Sequence, residues 1–128
     1  MTATDNVELF RKAESLLASR RPLAALDALA PVLDAEPNAP SVQLLAGRAY
    51  FHSAQLNRAE QAFRRVLDAD PSDHYARFVL GRTLQRLGRL EESLTQLRMA
   101  VAMDPRPEYQ DVFGEVRARI ALNNDDKG

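Results

Sequence analysis

The sequence repeats itself every 34 residues. Val32-Leu33-Asp34-Ala35-Glu36-Pro37 returns as Val66-Leu67-Asp68-Ala69-Asp70-Pro71, and Asp104-Pro105 follows one period later. Leu45-Ala46-Gly47-Arg48 returns as Val79-Leu80-Gly81-Arg82 at the same offset. No other feature constrains the fold as strongly. A repeat this short cannot bury its apolar face alone, so neighbouring copies must stack to make a continuous core. The register divides the chain into repeats 6–39, 40–73 and 74–107.

The matches fall on demanding positions. Position 8 of each repeat is small (Ala13, Gly47, Gly81), and so is position 20 (Ala25, Ala59, Ser93). Position 24 is large and apolar (Leu29, Phe63, Leu97), and position 32 is proline (Pro37, Pro71, Pro105). Small residues let two helices approach, and a large residue opposite fills the gap. Each repeat therefore reads as two helices; in repeat 2 they cover Pro40 to Ser53 and Leu56 to Ala69. The position-32 proline ends the second helix. Asn38 and Ser72 are placed to cap the next helix, and Asp5 with Glu8 suggests a capping box at the first. Gly88-Arg89 makes a turn inside repeat 3, and Pro22 suits a first helical turn. Pro31 falls inside a helix, where it removes the bond to the Asp27 carbonyl and should kink or shorten the element.

This pattern resembles the tetratricopeptide repeat (TPR) family. Repeat 2 carries it in Gly47, Tyr50, Ala59, Phe63 and Pro71; repeat 3 in Leu80, Gly81, Leu84, Ser93, Leu97, Ala100 and Pro105; repeat 1 in Ala13, Leu16, Ala25, Leu29 and Pro37. The family's frequent tryptophan at position 4 is replaced by Leu9, Gln43 and Arg77. The resemblance implies an all-α fold: a right-handed superhelical solenoid of three antiparallel helix hairpins in a single domain, 1–128. Residues 108–122 are one further amphipathic helix, with Tyr109, Val112, Phe113, Val116 and Ile120 at 3–4 spacing. It is expected to cap the last repeat, with 123–128 as a frayed polar tail.

Composition narrows the function. The chain has 128 residues, no cysteine, and a formal net charge of −1. That excludes thiolate chemistry and any cysteine-ligated metal. The charge balance argues against nucleic acid as partner, although repeat 3 is rich in arginine. Nothing approaches a membrane span, and Asp5 and Glu8 stand where a secretory leader would be basic, so a cytoplasmic protein is expected. His52 and His74 fit no metal-ligand spacing, and no nucleophile elbow or phosphate loop is present. Glu91 and Glu92 open a helix, which suits its dipole better than catalysis. No catalytic, cofactor or metal site is expected, and the chain does not read as an enzyme.

The informative feature is an apolar excess on the first helix of each repeat. Positions 2, 5, 9 and 12 form a second stripe besides the one facing the partner helix. In TPR proteins the first helices line a concave groove. The resemblance implies a groove holding Phe10, Glu14, Leu17, Ser41, Leu44, Arg48, Phe51, His52, Tyr75, Phe78, Arg82, Gln85 and Arg86. Three arginines and one glutamate make this surface basic within a chain of net charge −1. Rings beside arginines suit a protein or peptide partner with acidic groups and apolar anchors. A TPR subclass that clamps chaperone carboxyl termini needs lysine, asparagine and arginine where this chain has Phe10, Glu14, Leu45, Tyr75 and Val79. That role is disfavoured. The expected function is a protein-interaction module, as monomer or homodimer; the alternative is a structural TPR protein acting through self-association.

Overall fold

The computed structural model describes residues 3–127. Among the described residues seven α-helices follow one another: α1 (Ala3–Ala18), α2 (Pro22–Ala35), α3 (Pro40–His52), α4 (Leu56–Ala69), α5 (His74–Arg86), α6 (Leu90–Met103) and α7 (Pro107–Lys127). There is no strand among the described residues. The backbone resolves into two compact units, Met1–Asp70 with α1–α4 and Pro71–Gly128 with α5–α7, where the sequence reading takes 1–128 as one domain. The division falls on Pro71, the position-32 proline of repeat 2.

The helix pairs close as the 34-residue register requires. Position 8 (Ala13, Gly47, Gly81), position 20 (Ala25, Ala59, Ser93) and position 24 (Leu29, Phe63, Leu97) are all buried. A Cβ on Gly47 would fall inside the Phe63 ring's contact distance, and one on Gly81 would stand 2.7 Å from the Leu97 side chain. Both glycines therefore permit an approach that alanine would block. Ser93 uses its small size differently: its hydroxyl donates to the Gly81 carbonyl at 2.6 Å, so the buried polar group is satisfied.

Each hairpin turns through the same device. The residue at position 15 adopts positive φ: Arg20 at 61°, Ala54 at 61° and Gly88 at 79°. In each turn that residue's N–H reaches back three residues, to Leu17, Phe51 and Gln85, while the next residue's N–H reaches Leu16, Tyr50 and Leu84. This double closure is the Schellman motif, which satisfies carbonyls left open at a helix end. The expected Gly88-Arg89 turn is present; the sequence gives no comparable signal at Arg20 or Ala54.

Two of the three position-4 residues, departures from the family's tryptophan, have a shared task. Gln43 Nε2 donates to the Pro37 carbonyl at 2.6 Å, and Arg77 donates to the Pro71 carbonyl at 2.7 Å. Each ties a first helix to the proline that ended the preceding one. The caps differ from expectation. Ala39 and Asp73, not Asn38 and Ser72, occupy the N-cap positions; Asp73 accepts from the Ala76 N–H at 2.9 Å and Ala39 offers no side-chain cap. Asp5 lies inside the first turn of α1 rather than at a cap. Pro31 does not shorten α2, which has the same 14 residues as α4 and α6. Leu29 and Val32, buried on either side, hold the helix across the missing bond. Helix α7 continues to Lys127, past the expected end at 122, with Asn123, Asn124, Asp125 and Asp126 exposed on its final turns. Once a packed turn exists, extending a helix costs little. Gly128 lies outside the described residues.

Candidate functional site

The expected groove residues divide between the two units. In the first, Phe10 is half-buried and Glu14 exposed on α1, while Leu44, Arg48 and Phe51 are half-buried and Ser41 and His52 exposed on α3. Phe51 and His52 meet edge to face, with centroids 5.4 Å apart. Leu17 is only 8% exposed and belongs to the core of this unit. Its remaining surface lies at a cleft that it shares with Arg20, Pro22 and His52. A second cleft, of about 400 Å³, opens beside Phe10, Glu14 and Ser41 and is floored by Val32 of α2.

In the second unit Tyr75 and Gln85 are half-buried, and Arg82 and Arg86 are exposed. Phe78 is 1% exposed. The Tyr109 ring of α7 stacks on it at 4.3 Å, so Phe78 has no face left for a ligand. Tyr109 sits where the first helix of a fourth repeat would begin, and α7 extends the stack as that helix would. Val112, Phe113, Val116 and Ile120 join Phe78, Leu97 and Ala100 in one apolar cluster, as the 3–4 spacing predicts. Phe113 is further flanked by the guanidinium groups of Arg98 and Arg117, 5.9 Å and 5.5 Å from its centroid.

A polar string holds the start of α7. The Tyr109 hydroxyl lies 2.9 Å from His74 Nδ1, His74 Nε2 lies 3.3 Å from Asp104, and Arg106 Nε donates to Asp104 at 2.7 Å. Each ring nitrogen of His74 therefore has a partner, the Tyr109 hydroxyl on one side and the Asp104 carboxylate on the other. Burial pushes the Tyr109 phenol up from its ordinary value, so it remains a hydrogen-bond donor. These groups satisfy one another around a packed ring, an arrangement that anchors a helix.

The exposed arginines of α5 border a polar cleft of about 520 Å³. Arg82, Gln85 and Arg86 form one wall, and Glu115, Arg119 and Asn123 of α7 form another. The α7 residues are absent from the sequence-based site. Their signal was present: 115, 119 and 123 are spaced by four and share one helix face. Among the described residues no group of His, Asp or Glu is placed to hold a metal ion. Among the described residues no helix is long and apolar enough to cross a membrane.

Comparisons with known proteins agree with the repeat fold. The family model described as tetratricopeptide repeat matches residues 16–76 and 55–120. No curated protein sequence matches the chain. Among solved structures, the first TPR of Spaghetti (RPAP3), bound to the HSP90 peptide SRMEEVD, is similar at TM-score 0.85 and 19% identity, with 94% of this chain and 97% of that one covered. The Sgt2 TPR domain from Aspergillus fumigatus is similar at TM-score 0.86 and 16% identity, covering 97% and 83%. A MamA RS-1 double mutant is similar at TM-score 0.87 and 22% identity, covering 94% and 68%. These identities speak to the fold alone. With the 34-residue register, the repeated turns and a family match spanning most of its length, the chain belongs to the tetratricopeptide repeat family.

Proposed function

We propose that this chain is a protein-interaction module that binds a partner segment carrying acidic and apolar groups. The observation that carries the reading is the cleft of the second unit, where Arg82, Arg86 and Arg119 stand around one concavity with a single carboxylate, Glu115. Guanidinium groups gathered in this way suit carboxylates, which they can meet in bidentate fashion. In the first unit, Leu44, Arg48, Phe51 and His52 supply the apolar and cationic contacts on α3. Similar folds hold peptides: besides the Spaghetti domain, the second TPR domain of human RPAP3 is solved with the HSP70 peptide SGPTIEEVD. The chaperone tail itself is not the proposed ligand here, because Phe10, Glu14, Leu45, Tyr75 and Val79 occupy the clamp positions.

The test is affinity capture followed by mass spectrometry, comparing wild type with Arg82→Glu/Arg86→Glu and with Arg48→Glu. The expected result is a partner set lost in the α5 variant and weakened in the α3 variant. Identical capture by all three proteins would refute the assignment. Self-association is the second reading, favoured by Leu122, which is 64% exposed near the end of α7. Light scattering across a dilution series decides it: a concentration-dependent mass lost in Leu122→Glu supports it, and a constant monomer mass dismisses it.

A further inference from the structure

Arg77 of α5 is a half-buried cation whose partners are all neutral. Its Nη2 donates to the Pro71 carbonyl at 2.7 Å, and its Nη1 is shared between Gln96 Oε1 at 3.1 Å and Met99 Sδ at 3.7 Å, both on α6. Among the described residues no carboxylate pairs with this guanidinium, and its buried Nε has no partner. The thioether is the weakest of the three acceptors, and it is the one that chemistry can change. Met99 is 40% exposed, so a small oxidant reaches it. Met103, about one turn further along α6, is 42% exposed, and no hydrogen bond to its sulfur occurs among the described residues. The two methionines therefore differ in their neighbours and hardly at all in access.

We infer that Met99 is a redox-modification site: hydrogen peroxide converts it to the sulfoxide, and Arg77 Nη1 holds the new oxygen. The sulfur lone pair attacks one peroxide oxygen, and the O–O bond breaks as the S–O bond forms. The departing hydroxide takes the proton of the transferred hydroxyl and leaves as water. Sulfur gives up two electrons and the peroxide gains them. The sulfoxide oxygen is a far better acceptor than the thioether, and its donor is a cation, so the bond becomes charge-assisted. That bond runs from α5 to α6, so oxidation tightens this helix pair. Sulfoxides in apolar cores do the opposite, but Met99 lies outside the core and no packed contact is lost. Methionine sulfoxide reductases reverse the step. The site makes no use of Arg82, Arg86 or Arg119, so it stands or falls separately from the proposed binding face.

The test treats two full-length variants, Met103→Leu and Met99→Leu, with hydrogen peroxide. Peptide mass spectrometry locates the sulfoxide, and urea denaturation is compared before and after. Met1 is common to both proteins and drops out of the comparison. Oxidation should raise the folding equilibrium constant of Met103→Leu about two- to tenfold, the range of one net hydrogen bond, and should leave Met99→Leu unchanged or less stable. Adding Arg77→Leu to Met103→Leu should remove the gain. Because that double variant also loses the bond to Pro71, the guanidinium NMR signals of Arg77 in the Met103→Leu protein give a second readout, and oxidation should shift them. A Met99 sulfoxide that leaves stability unchanged or lowers it, an equal gain in Met99→Leu, a gain that survives Arg77→Leu, or unmoved Arg77 signals would each overturn the assignment. So would a Met99 that stays reduced under conditions that oxidise Met103.

Discussion

The Tyr109 ring lies against Phe78 with 4.3 Å between centroids and 22° between planes, and this pair fastens α7 to α5. Tyr109 is 1% exposed, so truncating it to alanine removes a packed ring and should destabilise the second unit by about 3–5 kcal/mol. Tyr109→Phe keeps the ring and removes only the hydroxyl bonded to His74, so its cost should be about 1 kcal/mol. Urea denaturation followed by circular dichroism separates the two. Equal losses would show that the hydrogen bond, not the stack, holds the helix.

The same tyrosine sets an alkaline limit. Burial raises its phenol pKa, Arg106 opposes the shift, and Asp104 and Glu108 add to it. The folded value therefore lies above the unfolded value of about 10. A group shifted this way contributes stability that is full below the unfolded pKa and is lost as pH rises through the folded one. The urea midpoint of wild type should fall more steeply above about pH 10 than that of Tyr109→Phe. Parallel pH profiles would mean that Tyr109 ionises as easily in the folded chain as in the unfolded one.

The turns predict opposite effects for one substitution and its reverse. Ala54 and Arg20 both hold φ of 61°, a conformation that costs a non-glycine residue about 1–2 kcal/mol. Ala54→Gly and Arg20→Gly should each stabilise by up to about 1 kcal/mol, since glycine relieves the strain but also has more freedom to lose on folding. Gly88→Ala should destabilise by a similar amount. Nothing lies within 4 Å of a Cβ built there, so backbone conformation alone would be responsible. Chemical denaturation of the three variants checks the signs.

Gly47 and Gly81 are small for a different reason. Alanine at either position collides with Phe63 or Leu97, and each change should cost about 1–3 kcal/mol. Gly47→Ala combined with Phe63→Leu should recover part of the loss, because the smaller side chain vacates the contact. A double-mutant cycle with no coupling would contradict the packing account.

Much of the fold was legible because repetition exposes steric demand. Positions 8, 20, 24 and 32 are conspicuous once the chain is written in register, and each does what its size suggests. Arg20 and Ala54 were not legible as left-handed turn residues, because the tertiary pairing of the helices imposes that conformation on side chains with no preference for it. Phe78 looked like a groove residue because a helical stripe shows direction, not what covers it; Tyr109 covers it. Arg119 was missed for the converse reason. Its place in the cleft depends on a neighbour distant in sequence, α5.

The arginine-bordered face of α5 and α7 is proposed to recognise an acidic protein segment. The most direct measurement is fluorescence anisotropy with a peptide from the captured partner, comparing wild type, Arg82→Glu/Arg86→Glu and the control Arg65→Glu on the exposed side of α4. Binding at least about tenfold weaker is expected for the α5 variant, the scale of one lost charge-assisted hydrogen bond, with unchanged binding for the control. Equal affinity for wild type and the α5 variant, or an equal loss in the control, would contradict it.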